Sequence, residues 1–175
     1  MSTVEEAIRT KRAVRQFTDQ PLPDEVVRAI LNAGRRAQSS KNSQPWSFVV
    51  VRNRETLKKL SACGTYAGHL AGAAMGVLLA ARGEPPAPDA AERQGWIMFD
   101  LGQTAAYMQL AAWELGVGSC IATIYEPEKA RAILGIPAEM TCDVALSFGY
   151  PAAEQRPSQR RGRAPLEQIV HDERW

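Results

Sequence analysis

Apolar residues recur at helical spacing through Val26, Val27, Ile30, Leu31 and Ala33, and the acidic pair Asp24-Glu25 precedes them where a helix N-terminus favours negative charge. The pattern predicts a helix from Asp24 to about Ala37. It gives way to a polar stretch, Ser39 to Trp46. Phe48 to Val51 then follows as an unbroken apolar run, the form expected of a strand buried on both faces. Upstream, Val4 to Lys11 reads as a short helix with Thr3 as N-cap and Glu6 at the capping-box position. Downstream, Glu55 to Ala62 and Tyr66 to Gly72 read as short helices, Met75 to Ala81 as a strand, and Pro127 to Leu134 as a helix closed by Gly135. Ser119 to Ile124 is a short extended segment, Cys142 to Phe148 a further strand, and Leu166 to Val170 a last turn. Such interleaving of about three or four strands with five or six helices predicts an α+β or α/β layered fold.

The stretch from Trp96 to Leu115 departs from an amphipathic pattern. Ile97, Leu101, Thr104, Met108, Ala111, Ala112 and Leu115 fall on nearly one stripe, while small or apolar residues occupy much of the other side. A helix of this kind should be buried almost all round. Either a second subunit covers part of it, or the single chain does.

Composition changes this picture little. With 175 residues, 45% apolar and 23% charged, the chain is expected to form one domain, residues 1–175. A formal net charge of +2 gives no bulk attraction to nucleic acid or to a membrane surface, so neither is expected as a partner. The longest apolar run, Leu70 to Ala81, is too short to span a bilayer. Ser2 to Arg15 carries no apolar signal core, and a cytoplasmic location is expected. Cys63, Cys120 and Cys142 are widely spaced without a CxxC pair, and only His69 and His171 accompany them, so no metal site is expected.

The candidate chemistry is sparse. There is no phosphate-binding GxxxxGK[ST] loop, no GxSxG elbow, and Gly116-Val117-Gly118 follows a helix rather than a strand. No acid–base pair or nucleophile stands out, so an enzyme of this sequence would leave the hard chemistry to a cofactor. Cys120 and Cys142 lie in apolar strands as inert thiols, and His69 reads as a lone surface or core histidine. The loop Ser39-Ser40-Lys41-Asn42-Ser43-Gln44-Pro45-Trp46 offers hydroxyls and amides that suit a neutral heteroaromatic edge or a polyol. An ordinary capping loop would look the same. Two basic clusters, Lys11-Arg12-Arg15 and Arg160-Arg161-Arg163, could converge on one dianion or stand as solvated patches.

Together these segments resemble the nitroreductase family of FMN-dependent oxidoreductases. Ala7 to Phe17 is similar to its opening arginine motif, and Ser39 to Trp46 to its Ser-x-x-Asn-x-Gln-Pro-Trp loop. Gly116 to Cys120 and Arg161-Gly162-Arg163-Ala164-Pro165-Leu166 are similar to its later landmarks. The resemblance implies an α+β, three-layer, nitroreductase-like fold, with a central, mainly antiparallel sheet flanked by helices. It also implies a homodimer with FMN at the interface. On that resemblance Lys11 and Arg12 serve the phosphate and Arg15 the N1/O2 side of the flavin, tuning it, while no side chain is catalytic. Ala13 stands where the family often has Ser, which removes one hydroxyl contact. Ser39, Ser40, Asn42 and Gln44 reach the flavin, some from the opposite subunit. The backbone of Ala122, Thr123 and Ile124 lines the ring, and Arg161 and Arg163 close on the phosphate. The reaction implied is ping-pong hydride transfer from NADH or NADPH through FMN to a nitroaromatic, quinone or similar small-molecule acceptor. Two alternatives keep the fold. One is another flavin reaction, such as reductive dehalogenation, flavin fragmentation or dehydrogenation. The other is a flavin-binding regulatory dimer without turnover.

Overall fold

Thr3 accepts a hydrogen bond from the Glu6 amide through Oγ1 at 3.1 Å and so starts α1, Val4–Thr10, at the predicted cap. The computed structural model describes residues 3–83, 88–152 and 162–175. Helix α2 is Asp24–Gly34, α3 is Arg54–Ser61, α4 is Ala90–Glu114 and α5 is Pro127–Leu134. Asn53 caps α3 by accepting from the Thr56 amide, and Gly135 ends α5 in the left-handed region at φ 65°. Strands β1, Trp46–Val51, β2, Met75–Arg82, β3, Gly118–Thr123, and β4, Met140–Gly149, form one sheet in the order β1-β2-β4-β3. All three pairings are antiparallel. Short 3₁₀ turns occupy Ser40–Asn42, Gly68–Gly72 and Leu166–Gln168.

Strand alternation divides the core into two layers. Met75, Val77, Leu79, Leu146 and Phe148 face one side, where Val27 and Ile30 of α2 and Leu101, Ala105 and Met108 of α4 cover them. Leu78, Ala80, Ala122, Cys142 and Ala145 face the other, under Leu57 and Leu60 of α3, Leu70, and Ala130 of α5. Each such large side chain contributes roughly 1.5–3 kcal/mol when withdrawn from water. The result is the expected α+β arrangement of helices, antiparallel sheet and helices.

Two expectations change. The run Phe48 to Val51 is not buried on both faces: β1 lies at the sheet edge with β2 as its single neighbour, and only Val51 is buried. The inner strands are β2 and β4, and residues Met75 to Ala81 of β2 are all buried. Helix α4 is also not enclosed by its own chain. Ala112 and Met108 sit in the core, but Trp96, Phe99 and Tyr107 are exposed at 57%, 62% and 43%. The outer side of α4 is therefore an apolar surface, and complete burial within one chain is ruled out.

Gly118 opens β3 where the segment after α1 crosses the sheet end. A Cβ there would lie 2.6 Å from the Cβ of Val14, itself buried. Gly118→Ala should lower stability by about 1–3 kcal/mol through overpacking. Urea unfolding checks this: a lower midpoint at unchanged slope is expected, and an unchanged midpoint would mean the approach is not tight.

Candidate functional site

Lys11 to Phe17 leaves α1 and runs along the end of the sheet. Ala13 forms a parallel bridge to Ser119, and the Val14 amide donates to the Ser119 carbonyl at 2.9 Å. This anchors Arg15, which is exposed, beside Cys120 and His69, whose ionisation feels its charge. Lys11 is half-buried near Cys120, and burial holds its amine below the ordinary lysine value, partly offset by that thiol. Burial pushes the Cys120 thiol up, against the pull of Arg15 and Lys11, so it stays an inert thiol. Arg12 takes another course. Its Nη1 donates to the carbonyls of Arg9 and Lys11 at 3.0 Å, and to that of Thr10, so the guanidinium caps the C-terminal end of α1.

Strand β3 is paired with β4 on one side only. Because Ser119 points its carbonyl outward to Val14, alternation directs the backbone groups of Ile121 and Thr123 outward too. Among the described residues their N–H groups have no backbone partner. The loop at Gly64 closes the far end of this edge, so tightly that a Cβ there would overlap the Thr123 carbonyl, while the Tyr125 amide donates to Cys63 at 2.8 Å. An open length of strand edge remains, flanked by Arg15 and Lys11 at one end and Gly64 at the other. The side chains of Ala122 and Ile124 point into the second core, Ala122 pairs with Ala145 of β4, and the Ile124 amide donates to the Asp143 carbonyl at 2.8 Å, so their backbone is turned to the sheet rather than to the open edge.

His69 lies behind this edge, buried at 8% exposure, in the turn Gly68–Gly72. Its Nδ1 is 2.7 Å from Ser147 Oγ, whereas that hydroxyl is 3.4 Å from the Cys120 carbonyl. The hydroxyl donates to the Cys120 carbonyl and so links the imidazole to the backbone of β3. Nε2 itself has no partner of normal hydrogen-bond geometry.

The polar loop lies elsewhere. Ser39 Oγ accepts from the Gln44 amide at 2.9 Å, and Gln44 Nε2 lies 3.3 Å from Asn42 Oδ1. Lys41, Asn42 and Gln44 all have positive φ, at 52°, 56° and 47°. Each such residue carries strain on the order of 1–3 kcal/mol. The Ser40 amide donates to Asp100 Oδ2 of α4 at 3.1 Å. The loop thus sits on the α2/α4 side by β1, while Arg15 and His69 lie at the β3 edge, with His69 on the other side of the sheet. Two intervening strands put β1 and β3 roughly 14 Å apart.

Of the residues singled out in the sequence, Lys11, Ala13, Arg15 and the Thr123 backbone are brought to one edge. Ser39, Ser40, Asn42 and Gln44 form a second group that does not meet the first within the chain. Arg163 is exposed, and Arg160 and Arg161 lie outside the described residues. Asp100 and the His69–Ser147 contact were not foreseen. The signal for Asp100 was present, as a charge between Phe99 and Leu101 in an otherwise apolar run.

The buried imidazole has a thermodynamic consequence. Burial, then Arg15, holds His69 below the ordinary histidine value, and the nearby Ile121 backbone offsets part of this. The unfolded chain takes up this proton near pH ~6.5, before the native state does. The His69 contribution to stability is therefore fully present above that pH and is lost as pH falls through it toward the native value. Thermal unfolding from pH 8 to 5 should show this decline, and His69→Asn, which does not titrate, should flatten it. Identical profiles for the two proteins would exclude His69 as the source.

Three comparisons place this geometry among known proteins. The model of the Nitroreductase family matches residues 8–63 and 62–150. A protein of Archaeoglobus fulgidus, provisionally named an NADH dehydrogenase/NAD(P)H nitroreductase, is 33% identical over 172 residues, covering 96% of each chain. An FMN-dependent nitroreductase from Clostridium difficile R20291 superposes with a TM-score of 0.80 at 27% identity, over 97% of this chain and 98% of that one. The NADPH:FMN oxidoreductase from Vibrio harveyi, solved with NAD+, gives a TM-score of 0.85 at 23% identity, over 98% of this chain and 77% of that one. With a family match across most of its length and a relative covered nearly end to end, the chain belongs to the nitroreductase family.

Proposed function

We infer that the protein is an FMN-dependent oxidoreductase that takes hydride from NADH or NADPH and passes it to a nitroaromatic, quinone or similar small acceptor. The observation that carries this reading is the open β3 edge, with Arg15 beside outward backbone donors at Ile121 and Thr123, where the nearby Cys120 thiol is kept protonated by burial and His69 is turned to Ser147. That donor set fits a flavin: backbone N–H groups match the acceptors of the ring, and a fixed cation matches its pyrimidine side. The A. fulgidus, C. difficile and V. harveyi relatives support the same assignment through their named cofactors and donors.

Bound FMN would supply the reversible hydride chemistry that no side chain here offers. Lys11 would neutralise the phosphate, and Arg161 and Arg163 of the second basic cluster would close on it. Arg12 would have to leave the α1 carbonyls to join them. Arg15 would stabilise negative charge developing at the pyrimidine edge on reduction, more than it stabilises the oxidised ring. Ser39, Ser40, Asn42 and Gln44 cannot reach that edge in their own chain and would act on the site of a second copy. The exposed Trp96, Phe99 and Tyr107 of α4 supply an apolar face for such a copy.

The test is anaerobic reduction of the purified protein. A yellow protein that releases FMN on heating and bleaches with NADH or NADPH is expected. Flavin other than FMN, or a flavin that neither nicotinamide bleaches, would refute the assignment. In the same experiment Arg15→Gln, saturated with FMN, should show a lower flavin potential and reduction slowed about 10- to 100-fold, for a charge-assisted contact of roughly 1.5–3 kcal/mol. Arg163→Gln should instead weaken FMN retention while leaving the potential of bound flavin near normal.

A further inference from the structure

Asp100 is a carboxylate in the middle of α4, buried at 4% exposure among the residues of a helix that otherwise contributes Leu101, Ala105 and Met108 to the core. Withdrawing such a charge from water is unfavourable unless something compensates for it. Among the described residues no ion pair includes Asp100, and its recorded hydrogen bond is the one it accepts from the Ser40 amide, sixty residues away in sequence. A leucine would pack at this helix position without needing a partner, so the carboxylate is explained by what it holds.

What it holds is the start of a strained loop. Lys41, Asn42 and Gln44 are non-glycine residues in the left-handed region, a conformation that persists only when its surroundings over-determine it. Besides the backbone bonds from the Asn42 amide to Ser39 and from the Ser43 amide to Ser40, two side-chain contacts do so here. Ser39 Oγ ties down the Gln44 amide from within the loop, and Asp100 ties the loop to α4. Between these anchors the side chains of Asn42 and Gln44 remain exposed and aligned with each other. On the reading of this protein as a flavin enzyme whose loop serves a second copy, those amides are the groups delivered to the neighbouring site.

We propose that Asp100 is a positioning residue of the cofactor site: its buried carboxylate fixes the Ser40 amide, and through it the polar face that Asn42 and Gln44 present to the flavin. Asp100 touches neither cofactor nor substrate. Its effect is on how often the loop occupies its binding geometry, so its loss weakens FMN in proportion to the fraction of loops that stay in place.

The test uses the full-length protein and two sets of variants. Asp100→Ala removes the acceptor, while Asp100→Asn keeps an oxygen for the Ser40 amide. Ser40→Pro deletes the donor without disturbing the core, and it is read against Ser40→Ala, which removes the same hydroxyl but keeps the amide for Asp100. Ser39 already has the extended geometry that precedes proline comfortably, φ −144° and ψ 152°, and Ser40 is the first residue of a helical turn. Two quantities are read, the FMN dissociation constant and the amide hydrogen exchange of residues 40–44 against that of β2.

Asp100→Ala and Ser40→Pro should each weaken FMN about tenfold, and the double variant should be no worse than the poorer single, since both remove one bond. Asp100→Asn should recover most of the affinity. Exchange should rise at residues 41–44 in Asp100→Ala while the β2 amides stay protected, which a general loss of folding would not produce. If Asp100→Ala fails to fold, Ser40→Pro carries the test alone. Wild-type affinity in folded Asp100→Ala or Ser40→Pro overturns the proposal, as does exchange that rises equally in loop and core. A wild-type protein that binds no FMN overturns the functional reading instead, and loop exchange in the variants then still reports whether Asp100 holds the loop.

Discussion

One backbone hydrogen bond, from the Val14 amide to the Ser119 carbonyl, decides where the cations of the N-terminal segment can act. It turns an exposed chain into a short extra element beside β3, and Gly118 provides the close approach it requires. With Val14 held inward, Arg15 is left outward at the strand edge. The same bond sets the phase of β3. Ser119 points out, so Ile121 and Thr123 point out, and their amides are available to a ligand while Cys120, Ala122 and Ile124 serve the sheet and core. An unpaired strand edge is ordinarily a liability, inviting another strand to add to it. Here it is short, bounded by Gly64 and flanked by Arg15.

The sheet order imposes the second constraint. With β1 and β3 at opposite edges, the loop entering β1 and the segment beside β3 cannot meet within one chain, however the loop is adjusted. On the proposed reading, each chain would supply two half-sites. Helix α4 links them physically. Its inner side packs on α2 and the sheet, Asp100 grips the loop, and its outer side exposes Trp96 and Phe99, whose rings meet edge to face. On the proposed reading, a second copy docking on α4 would receive the loop at its own β3 edge, and assembly and cofactor binding would then be a single event.

Much of this was readable from the chain. Thr3 with Glu6, the acidic start of α2 and Gly135 are local signals with local consequences, and each element began or ended where they indicated. The apolar run of β2 and the basic and amide-rich motifs were equally local. The errors came from information that is not local. Phe48 to Val51 has the composition of a central strand, yet which strand is central depends on pairing order, and β4 inserts between β2 and β3 from far along the chain. The apolar outer side of α4 could not be separated from a core-facing one, because the same residues serve either. The Asp100 and His69 contacts join positions 60 and 78 residues apart, distances over which periodicity carries no signal.

The central claim is that the site is complete only between two copies of the chain. Dilution tests it most directly. Flavin-loaded protein is diluted through the subunit dissociation range while subunit mass, by light scattering or mass photometry, and flavin fluorescence are followed together. The account predicts that FMN is released in step with the appearance of single chains, with one flavin per subunit retained only while the dimer persists. A monomer that keeps its FMN would contradict it.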